Sequence, residues 1–271
     1  MIEAENLCVI RSKKEILKNL NFVAQSGKIT VIAGPNGSGK TTLLSAIAED
    51  LTYSGQITLN GINLQSMKPW HKAFLRGILP QAIKVSFPFL VSEVIQLGIK
   101  AGNGFSTQAA NREILLDVLD QVDLTGYANR FYQELSGGEQ ARVQIARVLA
   151  QIWHPVYKDQ PCWLLLDEPV AALDIDHQLT IMEVARRFAE NGGGVVLIIH
   201  DLNLAARFAD DIYLMKKGEI CFHGATREIM TSANLSLIYN CSIEVNHLSE
   251  TGLPYILPQT IKHLSCNIEA M

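Results

Sequence analysis

Gly34-Pro35-Asn36-Gly37-Ser38-Gly39-Lys40-Thr41 is the stretch on which the reading of this chain turns. It fits the pattern GxxxxGK[ST]. An apolar, β-branched run at 28–33 precedes it and a helical pattern at 42–49, opening with Thr42, follows. In that strand–loop–helix setting the glycines let backbone N–H groups close around phosphate oxygens, and the positive end of the helix adds to the field. Lys40 would reach the β- and γ-phosphates, and the Thr41 hydroxyl would ligate Mg²⁺. The loop therefore predicts a nucleotide site formed by residues 34–42.

Two further apolar runs end in chemistry. Trp163-Leu164-Leu165-Leu166 stops at Asp167-Glu168, and residues 195–199 stop at His200. Continuous apolar runs of four to six residues, each followed by a helix-length segment, fit strands buried on both faces of a parallel sheet. Acids at the C-terminal end of such a strand enter the crevice into which a phosphate loop opens. Asp167 would hold Mg²⁺, and Glu168 would polarise an attacking water as general base. An isolated Asp-Glu is commonly a solvated strand end, and a lone strand-end histidine is commonly just hydrogen-bonded. The phosphate loop on the same sheet tips the first of these readings towards chemistry.

The middle of the chain changes character. Residues 91–100, 107–122 and 137–151 carry helical spacing, with Ser106 or Thr107 as N-cap of the second. A helical insert of about 60 residues in an α/β domain accounts for this. Lys217-Gly218, between the apolar segments 212–215 and 219–222, predicts a hairpin. Beyond Ala225 the sequence gives one or two helices and a weakly patterned tail.

Length and composition bound the answer. The 271 residues are 48% hydrophobic, 18% charged and 7% aromatic, which excludes disordered, collagen-like and coiled-coil classes. A net charge of −4 argues against a nucleic-acid partner. Mean hydropathy is +0.14, high enough to require a search for membrane spans. The longest stretch free of Asp, Glu, Lys and Arg, residues 51–67, is broken by Thr, Ser, Gly, Gln and Asn. Residues 1–5 lack the basic flank and apolar run of a signal peptide, so the expected location is the cytoplasm. Cys8, Cys162, Cys221, Cys241 and Cys266 form no CxxC pair and read as buried small hydrophobes of a reducing compartment.

Leu135-Ser136-Gly137-Gly138-Glu139-Gln140 opens the helix that runs to about Gln151. Ser136 is a natural N-cap, and the two glycines expose N–H donors at a second anion-binding helix end. One chain seldom needs two phosphate-binding helix ends, unless each completes the other's site across a dimer.

With LSGGEQ, the phosphate loop, the LLLDEP strand end and a histidine after the next strand in this order, roughly residues 1–240 resemble the ATP-binding-cassette (ABC) ATPases. The resemblance implies a P-loop NTPase α/β core with a parallel sheet, a helical subdomain at about 88–151 and a small antiparallel β part. It implies an ATP-binding domain at 1–242 and a C-terminal extension at 243–271. The ligands would be ATP and Mg²⁺, sandwiched by two subunits packed head to tail. Ser136, Gly137, Gly138 and Glu139 would then contact ATP held by the partner's phosphate loop. Gln81, in Leu79-Pro80-Gln81, matches the Q-loop glutamine that contacts Mg²⁺ and senses the permease. Asp174, in Ala171-Ala172-Leu173-Asp174, matches the D-loop, and His200 the switch histidine at the γ-phosphate. Where the family usually stacks an aromatic residue on adenine, residues 8–13 hold none, and the slot falls on Arg11. A guanidinium also stacks on a purine; Arg11 as a plain surface charge is the even alternative.

A single cassette with about 95 residues between Lys40 and Ser136, and no heptad array, resembles a transporter subunit. It departs from the DNA-repair branch, with its long coiled coils, and from the two-cassette translation factors. A soluble ABC ATPase without a permease, or a P-loop small-molecule kinase, are remote alternatives, and the kinase has no use for LSGGEQ. Residues 87–98 resemble importers of ferric siderophores, cobalamin and haem, in which this region flanks the groove for the permease's coupling helix. The longer segment between Ser136 and Asp167, including Trp153-His154-Pro155, resembles haem-importer ATPases. His154 itself reads as a loop residue, since the substrate passes through the permease. The resemblance thus implies an ATPase on the cytoplasmic face of the inner membrane. Permease subunits would be its partners, and a periplasmic substrate-binding protein an indirect one.

Overall fold

The structure is a computed structural model that describes residues 1–81, 85, 87–102, 107–258 and 262–263. The chain opens with β1 (Ile2–Arg11) and β2 (Lys14–Ala24), joined by a two-residue turn in which Ser12 and Lys13 take positive φ. Next come β3 (Ile29–Ala33), α1 (Lys40–Ala48), β4 (Ser54–Leu59), β5 (Ile62–Asn63), α2 (Pro69–Leu75) and β6 (Arg76–Leu79). The helical part holds α3 (Val91–Gly102), α4 (Gln108–Gln121) and α5 (Gly137–Gln151). A small hairpin, β7 (Val156–Tyr157) and β8 (Gln160–Pro161), leads to β9 (Trp163–Asp167), α6 (Ile175–Glu190), β10 (Gly194–Ile198) and α7 (Leu202–Phe208). β11 (Asp211–Lys216) and β12 (Glu219–Ala225) form the hairpin around Lys217-Gly218, followed by α8 (Thr226–Ile229) and α9 (Ser232–Tyr239). The chain ends in short pieces, β13 (Cys241–Ser242), β14 (Val245–His247), β15 (Pro254–Ile256) and β16 (Lys262–His263).

The main sheet runs β12-β11-β3-β10-β9-β6, parallel except for the edge strand β12. Every residue of β3, β9 and β10 is buried, as expected for strands covered on both faces. Their Val, Ile and Leu side chains each contribute about 1.5–3 kcal/mol by leaving water. A second, antiparallel sheet, β2-β1-β4-β5, buries one face, with Leu17, Leu20, Phe22 and Ala24 pointing inward from β2. The α/β core, the helical part and the small antiparallel sheet expected from the sequence are all present.

Register positions the site. Val31 pairs with Leu197, Leu197 with Leu166, and Leu166 with Leu79. The strands therefore finish level, and the residues just beyond them leave one edge of the sheet together. Gly34, Asp167, Glu168, His200 and Gln81 all lie within two residues of such an end.

In the helical part, α3 buries Val91, Val94, Ile95, Gly98, Ile99 and Gly102, one stripe at helical spacing. Thr107, of the two candidates, is the N-cap of α4, its hydroxyl accepting from Ala110 N; Ser106 lies outside the described residues. Gln151 at the end of α5 donates to the Ala73 and Arg76 carbonyls, both at 2.9 Å, and so ties the longest of these helices to the entry of β6. The longer segment before β9 is clamped by Asn60, which donates to the Pro161 carbonyl and accepts from Trp163 Nε1. His154 is exposed in the turn that leads into β7. Residues on both sides of position 242 share one core, since Ile238, Ile243 and Ile256 are all buried, and Asn203 of α7 both donates to and accepts from the Ile256 backbone.

The cysteine reading needs correction. The four described cysteines are free, but only Cys162 is buried, where desolvation pushes its thiol up to about 12. Cys221 is exposed because β12 is an edge strand whose residues alternate between half-buried and exposed. Cys266 lies outside the described residues. Among the described residues no helix is long and apolar enough to cross a membrane.

Candidate nucleotide site

Gly34 turns at φ +146, and a Cβ there would stand 2.2 Å from the Met215 carbonyl, so only glycine lets the chain leave β3 this close to β11. The loop is closed by Ser38 N donating to Pro35 O and by Gly218 N donating to Ser38 O. Helix α1 starts at Lys40, which is buried, and its ammonium donates to the Gly34 and Pro35 carbonyls at 2.9 and 3.1 Å. Burial lowers the Lys40 pKa, while Glu168 and Asp167 hold it up.

Thr41 Oγ1 lies 3.5 Å from Asp167 Oδ1 at the end of β9. Asp167 is 4% exposed, and burial raises its pKa against the opposing effect of the Thr41 hydroxyl. Glu168 takes φ +52, an uncommon backbone for a side chain of its size, and its N–H donates to Ile198 O. His200 Nε2 lies 2.6 Å from Glu168 Oε1, a contact in which the ring N–H donates to the carboxylate.

A cleft of about 590 Å³ joins these groups, lined by Lys14, Ile16, Asn36, Gly37, Gly39, Lys40, Thr41, Thr42, Gln81, Glu168 and His200. Gln81 also lines a neighbouring cavity of about 280 Å³, with Asp167 and Glu168 on one wall and Gly137, Gln140 and Gln144 of α5 on the other. The phosphate loop, both acids, the histidine and the glutamine are thus brought together. Arg11 is not in the cleft lining: it pairs with Lys14 across the Ser12-Lys13 turn and is exposed. Two residues further along β2, Ile16 forms that wall instead. Its place beside the buried Leu17 in the strand was the available signal.

Ser136, Gly137 and Gly138 do not line the phosphate-loop cleft of their own chain, although Gly137 reaches the neighbouring cavity. Ser136 caps α5 with a reciprocal pair: Ser136 Oγ accepts from Glu139 N at 3.3 Å, and Glu139 Oε2 accepts from Ser136 N at 2.7 Å. Tyr127 also donates to Glu139 Oε1, and the hydrogen bonds from Ser136 and Tyr127 hold the Glu139 carboxyl below its usual range. Ser136 and Gly137 are exposed, whereas Glu139 is committed to its own helix end. Asp174 is the exposed N-cap of α6, accepting from His177 N at 3.1 Å.

Comparison with known proteins agrees with this arrangement. The family described as ABC transporter matches residues 17–171. The hemin import ATP-binding protein HmuV of Bartonella henselae is 47% identical over 264 residues, 97% of this chain and 99% of that protein. The protein of the same description from Ruegeria sp. is 48% identical, covering 96% of this chain and 99% of its own length. A solved dimeric ATP-binding cassette in a post-hydrolysis state, bound to ADP and Pi, is similar with a TM-score of 0.72 and 27% identity, over 83% of this chain and 99% of that one. Sequence, fold and site geometry agree: this chain belongs to the ABC transporter family.

Proposed function

We propose that the chain is the ATP-hydrolysing, energy-coupling subunit of an importer for hemin. It works as a head-to-tail pair with a second copy, docked on permease subunits at the cytoplasmic face of the membrane, and a periplasmic substrate-binding protein acts through the permease. Residues 1–242 form the ATP-binding domain with the helical subdomain at about 88–151, and 243–271 extend it. The observation that carries the ATPase reading is the shared cleft in which Lys40, Thr41, Gln81, Glu168 and His200 meet. The near full-length likeness to hemin import proteins supports the substrate.

Each group has one task. Lys40 exchanges its two loop carbonyls for phosphate oxygens and neutralises charge that grows during transfer. Thr41, Asp167 and Gln81 offer oxygens alone, the donor set of a small hard cation, and would hold Mg²⁺. When bound, that ion supplies positive charge to the β- and γ-phosphates. Glu168 receives a proton from the attacking water, and His200 fixes the carboxylate's direction. Ser136, Gly137 and Gly138, the first two exposed and none of them in the lining of their own phosphate-loop cleft, close over the partner's γ-phosphate.

Ser136→Arg is expected to abolish hydrolysis while the isolated subunit still binds ATP. Loss of binding in that subunit, read by equilibrium titration with a fluorescent ATP analogue, would contradict a site shared between copies. The substrate is tested by ATP-dependent uptake into vesicles holding the subunit with its membrane partner, comparing hemin, a ferric siderophore and cobalamin. Hemin uptake is expected. Uptake of either other ligand instead would keep the ATPase and discard hemin.

A further inference from the structure

One imidazole spans two parts of the molecule that the site must coordinate. His177, in the first turn of α6, places ring Nδ1 2.5 Å from Asp174 Oδ1, the oxygen that already caps the helix. Its other nitrogen, Nε2, lies 3.3 Å from Asp123 Oδ2. Asp123 belongs to the turn that ends α4 and takes φ +54. From the opposite side Arg142, in the second turn of α5, donates to the Val122 and Asp123 carbonyls at 2.9 and 2.7 Å and stands 3.5 Å from Asp123 Oδ2. A continuous chain of contacts thus runs from the Asp174 turn of the core, through His177 and Asp123, to the helix that Ser136 opens.

The chemistry of the ring adds a condition. A neutral imidazole carries one N–H and one lone pair, so it donates to one carboxylate at a time. Only the doubly protonated ring donates to both. Among the described residues, the charged groups facing it are Asp174 from its own helix, Asp123 from the α4 turn and, behind Asp123, Arg142 from α5. Both carboxylates are mostly exposed, at 68% and 73%, and exposed pairs add little to stability. What the bridge sets is the position of one element relative to the other.

We infer that His177 is a positioning residue whose ring, in contact with both Asp174 and Asp123, yokes the Asp174 turn to the helical subdomain, so that this turn and the helix opened by Ser136 move as one body. The inference rests on the proposed reading in which both segments reach across to a second copy. His177 touches no nucleotide, and its effect passes through Asp174 and Asp123.

The test uses the complete transporter in vesicles. His177→Gln is expected to lower kcat for ATP hydrolysis about tenfold with the KM for ATP unchanged, as a small misplacement of a site's distant supports does. Asp123→Ala should give a similar loss, and the double variant no more than either alone, because both remove one bridge. His177→Arg, whose guanidinium can donate to two carboxylates at once, should restore kcat. A wild-type kcat in His177→Gln, losses that multiply in the double variant, or a KM that moves with kcat would each overturn the yoke. Ser136→Arg run alongside separates the failures: if it hydrolyses ATP normally, the shared-site reading falls. If it is inactive while His177→Gln is normal, only the yoke falls.

Discussion

Glu168→Gln should bind ATP with near-normal affinity and hydrolyse it about 10²–10⁴-fold more slowly, the range typical of removing a positioned general base. The substitution keeps the shape and removes the basic oxygen. The strained φ of +52 and the Ile198 contact involve only the backbone and persist in the variant. The His200 ring N–H keeps a carbonyl oxygen to donate to, so neither the histidine nor the cleft wall should move. Lys40 and Thr41, which hold the phosphates in the proposed reading, are untouched. Single-turnover hydrolysis measured beside ATP binding decides the matter, and turnover within a few-fold of wild type would remove Glu168 from the proton-accepting role.

The second large effect concerns folding. Gly102→Ala is expected to cost about 3 kcal/mol or more, at the upper end of what overpacking a core exacts. A Cβ at Gly102 would stand 1.6 Å from the Gln151 carbonyl of α5, and one at Gly98 would stand 2.0 Å from the Arg147 carbonyl. Both obstacles are backbone, so relief requires α3 to move bodily away from α5. That motion would also strain the Gln151 bonds to Ala73 and Arg76, which anchor the helical part to β6. Thermal unfolding should show a midpoint lowered by about 6–12 °C, at roughly 2–4 °C per kcal/mol for a chain of this size. Gly137→Ala, whose new Cβ meets nothing within 4 Å, is the stability control and should stay within about 1 kcal/mol. Equal midpoints for Gly102→Ala and this control would show that the helices separate without cost.

These two cases also mark what a sequence discloses. Glu168 was legible because an unbroken apolar run fixes where a buried strand ends, and the parallel sheet then fixes which crevice its last residues enter. Gly98 and Gly102 stand four apart on the buried stripe of α3, yet a scan for apolar spacing passes over residues without side chains. Arg11 is exposed opposite Lys14 across the Ser12-Lys13 turn, and the residues that β2 gives to the cleft lining are Lys14 and Ile16, a placement set by the turn and not by any local pattern. The bridge from His177 to Asp123 spans 54 positions and depends on the angle between α4 and α6, which no local pattern encodes. Cys221 came out exposed for a related reason: composition suggests burial, but only topology says which strand is last in a sheet.

One feature of the phosphate loop bears on kinetics. The Lys40 ammonium is already satisfied by two carbonyls of its own loop, and a hydrogen bond from Gly218 of the β11–β12 turn to the Ser38 carbonyl braces that loop. In the proposed reading, nucleotide entry is therefore an exchange of partners at one cation, with little backbone left to order. Association should be limited by encounter and steering, and differences among phosphate-loop variants should appear mainly in how fast the nucleotide leaves.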